Sequence, residues 1–598
     1  MQFKVNLKKN YIIYSALEIL SIIPKRRKFQ IFVLFITMLI SAISEIFLLG
    51  SIIPLITLIS DPKQISKISF LKNYVNFQNP EDFLKILTPI LSLFVVAVIF
   101  ATVTKIFNIW LVEKLSSRIG ADLSSQLFRR TLYKNYLSHL SQNTSQLIST
   151  LTIQISNTIN AFKLFFRMLT SLIVGMVILC TLFALNKYVA LSIFLSLAIT
   201  YLLIAFLVRK KLNNNSKSIL STSRARIKVI QESLGGIRDI ILSGSYPVFL
   251  NIYRKADLTF FDLRSQNSFL SVFPKNLLQG ISLIFIALIT AIFSIERNQE
   301  GSIIIIMGAF AIGLQRMVPQ FQQFYTSWST LKGFSSDVGA VLSGIKEPIL
   351  ISKETDKHPI QFQKITLENV YFRYSNNQDY VLKNINLEIK KGQRIGFIGS
   401  TGSGKSTIID IIMGLLKPNK GKVLIDGKDI FDKENEKLLI NWRYSISHVP
   451  QNIFLADCSI AENIAFGEHL DCIDMDKIEI ASKKANIENF IKKLNQGFKS
   501  NVGERGVQLS GGQLQRIGIA RALYRDTNIL VFDEATSALD SKTEQNIINK
   551  INNLSDEKLL IMISHRYSTL KNCDYVFRID NGVILQSGIP SKILKKIK

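Results

Sequence analysis

Six long apolar runs, then a glycine-rich phosphate loop and an apolar strand ending in two carboxylates, predict the fold class. It is an all-α six-helix transmembrane bundle followed by an α/β P-loop domain. The runs fall at about 31–60, 84–112, 161–184, 188–208, 276–295 and 302–325. Each approaches or exceeds the roughly 20 residues that cross a hydrocarbon core of about 30 Å. The fifth and sixth are the weakest, because only Arg297 to Gly301 separates them. Six such runs in a soluble protein would demand an unusually large core.

Charge sets the expected orientation. Lys25, Arg26, Arg27 and Lys28 precede the first run, and Lys114, Arg118, Arg129, Arg130 and Lys134 lie between the second and third. Arg209, Lys210, Lys211, Arg224, Arg226, Lys228, Arg238 and Arg254 lie between the fourth and fifth. The opposite loops are short or mixed in sign. By the positive-inside rule both termini face the cytosol, so the chain is expected in the cytoplasmic membrane with its second domain cytosolic. Juxtamembrane cations beside anionic lipid then account for much of the net charge of +28, and no nucleic acid partner is expected. The first run is too long for a cleavable signal, and none is expected. Cys180, Cys458, Cys472 and Cys573 are scattered and form no disulfide framework or metal spacing.

The P-loop pattern is complete. Gly399, Ser400, Thr401, Gly402, Ser403, Gly404, Lys405, Ser406 and Thr407 spell G-x-x-x-x-G-K-S with one residue more. Its glycines let backbone N–H groups surround phosphate oxygens at a helix N-terminus. Lys405 is expected to reach the β- and γ-phosphates of ATP, and Ser406 to ligate Mg²⁺. Downstream, ILVFDE ends in Asp533, a second Mg²⁺ ligand, and Glu534, which would polarise an attacking water.

Between these strings stands LSGGQ, Leu509 to Gln513. With it the chain resembles the ATP-binding cassette (ABC) family over about 360–598, whose signature motif is this pentapeptide. The resemblance implies further roles, in the family's order. Tyr374 in YFRY would stack on adenine. Gln451 in VPQN would sense Mg²⁺ and contact the membrane domain. Asp540 in SALD would sit at a dimer seam, and His565 in ISHR would contact the γ-phosphate. Catalysis would thus fall to Glu534, His565 and Gln451, and ATP binding would extend to Ser510, Gly511, Gly512 and Gln513. VGERG, Val502 to Gly506, resembles the exporter-specific loop, with Glu504 its contact residue.

The resemblance also implies organisation. Residues 1–30 resemble an elbow segment, 31–345 the transmembrane domain, 346–360 a linker and 361–598 the ATP-binding domain. Coupling helices are expected near 135–150 and 235–249. One chain has one P-loop and one signature, whereas the family holds each ATP between the P-loop of one domain and the signature of another. A homodimer is therefore implied, working as an ATPase coupled to export.

Charges inside spans are the clue to cargo, because they cost several kcal/mol unless paired or used. Glu45 and Arg316 are the substrate candidates, and their surroundings resemble flippases for lipids or lipid-linked oligosaccharides. Arg316 would then attract an anionic headgroup. The alternatives are a general exporter of amphipathic small molecules and an ATP-gated channel. Counted at 1.5 Å per residue from the ends of the apolar runs, Glu45 and Arg316 differ in depth by about 12 Å, which argues against a direct pair. Arg167 is expected to snorkel.

Overall fold

The computed structural model describes Glu18, Ser21, and residues 23–60, 80–295, 300–347, 358–535, 541–552, 558–564 and 566–594. The chain divides into two compact units, Met1–Lys134 with Gln142–Ile349, and Asn135–Ser141 with Leu350–Lys598. The expected elbow falls mostly outside the described residues, as does the centre of the expected linker.

The first unit is built on long helices: α1 Lys25–Ser60, α2 Pro80–Leu132, α3 Ile155–Leu185, α4 Lys187–Gly235, α5 Tyr246–Ile295 and α6 Glu300–Gly333. α1 starts immediately after Pro24, whose carbonyl accepts the N–H of Arg27 at 2.9 Å. Helix thus begins six residues before the apolar run, through the basic cluster. α1 packs on α2, α3 on α6, and α4 on α5. Among the described residues, four stretches are long and apolar enough to span a membrane: Lys25–Ile59, Ile86–Leu132, Thr144–Leu185 and Lys187–Gly235. The fifth and sixth expected runs fall on α5 and α6, on either side of 296–299, which lie outside the described residues.

Short helices stand where coupling helices are expected. One is Ile237–Ser243, closed by Gly244 at φ +65°, a left-handed conformation natural to glycine. The other is Tyr136–Ser141, which belongs to the second unit.

The second unit contains two sheets. Strands β1 Lys364–Phe372, β2 Leu382–Lys390, β4 Lys420–Ile425 and β5 Lys428–Asp429 form an antiparallel sheet in the order β2-β1-β4-β5. The larger sheet joins β3 Arg394–Ile398, β6 Ile446–Val449, β7 Ile529–Asp533, β8 Leu559–Ile563, β9 Tyr575–Asp580 and β10 Val583–Gly588, in the order β10-β9-β3-β8-β7-β6. All neighbouring pairs but β9–β10 are parallel. Parallel sheets need cover on both faces, and these strands read accordingly. Every residue of β8 is buried. Alternate side chains enter two different cores. Ile529 and Val531 join one with Ile408, Ile409 and Trp442, whereas Leu530 and Phe532 join the other with Ile517, Ile519 and Ala520.

One buried acid in the first unit lies outside the spans. Asp337, in the helix Ser335–Lys346, is 5% exposed and accepts a hydrogen bond from Asn157 Nδ2 at 2.7 Å. Burial pushes its carboxyl up to about 6, against the pull of Asn157, Arg224 and Arg264. Its folded value exceeds its unfolded one, near 4. Ionisation therefore costs folding free energy, a cost absent below pH 4 and complete above pH 6. We expect Asp337→Asn to raise thermal stability at pH 7.5 by on the order of 2 kcal/mol, with the gain vanishing by pH 4. Melting of the purified chain across that range checks both the sign and the window.

Candidate functional site

The site forms where β3 ends. The loop after Ile398 turns back on itself and enters α7, Lys405–Ile412. Two glycines are required by geometry. A Cβ on Gly399 would lie 2.1 Å from the carbonyl oxygen of Ile579, and Gly404 has φ +102° at the helix N-cap. The β9–β10 turn closes on this loop. The N–H of Gly582 donates to Ser403 O at 3.1 Å, and Ser400 Oγ donates to Asp580 Oδ1 at 3.2 Å. Asp580 is a contributor that the sequence reading missed, since only the fold brings β9 beside β3.

Lys405 is 7% exposed, and its Nζ donates to the carbonyls of Gly399 at 2.9 Å and Ser400 at 2.8 Å. Burial lowers its pKa, while Glu534 and Asp533 oppose the shift. Asp533, at the end of β7, is pushed up by burial and by Glu534, and held down by a side-chain hydrogen bond with Ser406 and by Lys405. These shifts place the ammonium, the hydroxyl and both carboxylates in one electrostatic cluster.

Glu534 leaves the strand with φ +48°, in the left-handed region that non-glycine residues seldom occupy. Its N–H donates to Ile563 O at 3.1 Å, and its Oε2 accepts from Gln451 Nε2 at 2.9 Å. The backbone turn thus re-aims the carboxylate out of the strand and onto the glutamine. Tyr374 flanks α7, with its hydroxyl 3.0 Å from Thr407 Oγ1 and its ring edge-on to Phe372. Asp540 and His565 lie outside the described residues.

The signature string starts a second helix, α8 Gly511–Tyr524. Ser510 is its N-cap, with a reciprocal capping box to Gln513. Ser510 and Gly511 are exposed. α8 packs on the helices Ile460–Ile464 and Met475–Lys484. Its buried residues fill the core on one face of the sheet, whereas those of α7 fill the core on the other. The P-loop and LSGGQ strings therefore lead into helices on opposite faces.

In the first unit, Arg316 Nη1 stands 3.7 Å from Glu45 Oε2. The expected depth mismatch is overturned. The ends of apolar runs are poor depth marks when helices outreach the bilayer. Counted instead from Ser60 and Glu300, the two residues lie 15 and 16 positions into α1 and α6, about 22 and 24 Å. Glu45 is buried, whereas the Arg316 side chain is 39% exposed. Arg167 does not simply snorkel either. It pairs with Glu113 at 2.7 Å, which Lys163 also reaches at 2.6 Å.

Residues 29–315 match the model of the ABC transporter transmembrane region, and residues 382–537 match that of the ABC transporter domain. A heterocyst differentiation ATP-binding protein, HepA, from Nostoc sp. is 30% identical over 492 residues, 81% of this chain and 78% of the relative. The chain belongs to the ABC transporter family. As an ABC transporter it carries a transmembrane region and an ATP-binding domain, and such a domain is an ATPase coupled to transport. Multidrug resistance protein pgp-1 of Caenorhabditis elegans is 38% identical over 287 residues, 48% of this chain. The chain spans only 21% of that relative's length. The structure of a bacterial Atm1-family ABC exporter with ATP bound superposes with a TM-score of 0.77 at 21% identity, covering 93% of this chain and 96% of that one. This last likeness concerns the fold.

We expect Glu534→Gln to lower ATP turnover by roughly 10²–10³-fold while nucleotide affinity stays within a few-fold. Phosphate release and equilibrium binding on the purified chain measure both. Turnover within tenfold of the parent chain would remove Glu534 from the reacting centre.

Proposed function

We propose that two copies of this chain form an ATP-driven exporter in the cytoplasmic membrane, both termini cytosolic, for an anionic amphiphile: a lipid or a lipid-linked oligosaccharide. ATP would rest on the P-loop of one copy. The hard oxygens of Ser406 and Asp533, already hydrogen-bonded to each other, with the Gln451 side chain, suit Mg²⁺. When bound, the ion would neutralise charge on the phosphate oxygens. Lys405 would exchange its two carbonyl acceptors for phosphate oxygens, and Glu534 would orient the attacking water. Ser510 to Gln513 of the second copy would cover the same nucleotide, with Asp540 at the seam and His565 near the γ-phosphate. The segregation of α7 and α8 to opposite faces of one sheet supports this sharing.

The observation that carries the cargo reading is a stripe on α6. Arg316, Gln320 and Phe324 recur every four residues, on one face of the helix. Gln320 and Phe324 line a cavity of about 240 Å³ with Phe194, Phe321, Met176 and Leu179. A partly exposed guanidinium, paired with Glu45 only at 3.7 Å, thus lies one turn from an apolar, aromatic cavity. Arginine suits phosphate through its planar fork, and the cavity suits a tail. The aromatic lining also favours the alternative, a general exporter of amphipathic drugs.

Proteoliposomes containing a fluorescent polyprenyl-pyrophosphate oligosaccharide test the reading. We expect ATP-dependent flipping that disappears in Glu534→Gln, and that falls at least tenfold in Arg316→Ala while ATP turnover is kept. Active ATPase with no flipping, stimulated instead by unrelated amphipathic drugs, would favour the alternative.

A further inference from the structure

We propose that the groove between α1 and α2, at the Lys25 end of α1, is a binding site for the headgroup of an anionic phospholipid. This site is separate from the cargo path, and it rests only on the membrane character of α1 and α2.

The groove has a volume of about 320 Å³. α1 contributes Arg26, Gln30 and Val33, at helical spacing on one face, and α2 contributes Trp110, Lys114 and Arg118, likewise four apart. The helices are packed side by side and the chain reverses between them. Arg26 and Arg118 therefore share one end of the groove, and Val33, Leu111 and Trp110 share the other. The result is a gradient from cationic to apolar along the membrane normal, the gradient of a phospholipid from phosphate to acyl chain. A tryptophan at the crossover is the residue that membrane interfaces favour.

Among the described residues, no carboxylate lies within ion-pair distance of Arg26, Lys114 or Arg118. The acids nearest in sequence face other partners. Asp122 accepts from Arg27 Nε at 2.8 Å, and Glu113 is shared by Lys163 and Arg167. Lys114 Nζ sits 4.3 Å from the centre of the Trp110 ring. This contact holds the ammonium over the groove without neutralising it. Three cations converging on a concavity with an apolar floor are complementary to one singly or doubly charged phosphate that carries acyl chains. A soluble anion would leave the floor unused.

Trp110 reports occupancy directly. The full-length chain is placed in nanodiscs containing brominated phosphatidylglycerol or brominated phosphatidylcholine. The Trp110 signal is taken as the difference between the parent chain and Trp110→Phe. We expect quenching to half-saturate at a mole fraction at least fivefold lower for phosphatidylglycerol. Arg26→Gln, Lys114→Gln and Arg118→Gln combined should bring that ratio to about one. Each single substitution should lower it in part, which covers a failure of the triple variant to fold. Lys25→Gln, Lys28→Gln and Lys210→Gln, exposed cations outside the groove, should leave it within twofold. Equal loss in both triple variants would mean diffuse surface attraction and overturn the site. So would equal quenching by the two lipids, or a Trp110 insensitive to either because protein fills the groove.

Discussion

The ATP-binding unit is arranged around a lysine withdrawn from water. Lys405 is held by two loop carbonyls, and the cost of burying its charge is offset by the carboxylates at the end of β7. That arrangement requires β3, β7 and β8 to end at the same level, which their parallel register provides. It also requires a backbone close enough to Ile579 to exclude any side chain at position 399. In the proposed function, a phosphate entering the loop would supply the acceptors that Lys405 now takes from its own backbone. Nucleotide binding would then be an exchange of partners rather than the first solvation of a bare charge.

The same sheet supports the proposed sharing of each nucleotide between two copies. Alternation along β7 and β8 sends neighbouring side chains into two cores, one anchoring the helix after the P-loop and the other the helix after LSGGQ. The exposed Ser510 and Gly511 are thus suited to a nucleotide held by a second copy.

Much of this was legible in the sequence because it rests on local chemistry. The P-loop glycines, the acidic end of ILVFDE and the capping box of Ser510 and Gln513 are each satisfied within a few residues. What depends on long-range packing was not legible. Asp580 reaches the phosphate loop only because β9 pairs with β3, far away in the chain. The Glu45–Arg316 pair was masked because apolar run lengths were used as depth marks, and α1 extends well past its run into the basic cluster. The left-handed turn at Glu534 has no sequence signature, because glutamate carries no preference for it.

The most direct test of the account is whether P-loop and signature meet between copies. Thr401→Cys and Ser510→Cys, both at exposed positions, would be combined in a chain whose four native cysteines are replaced. Oxidative cross-linking would then be followed with and without ATP. The account predicts a cross-linked species of dimer size that forms only with nucleotide. A cross-link confined to the single chain, or a dimer formed equally without ATP, would contradict it.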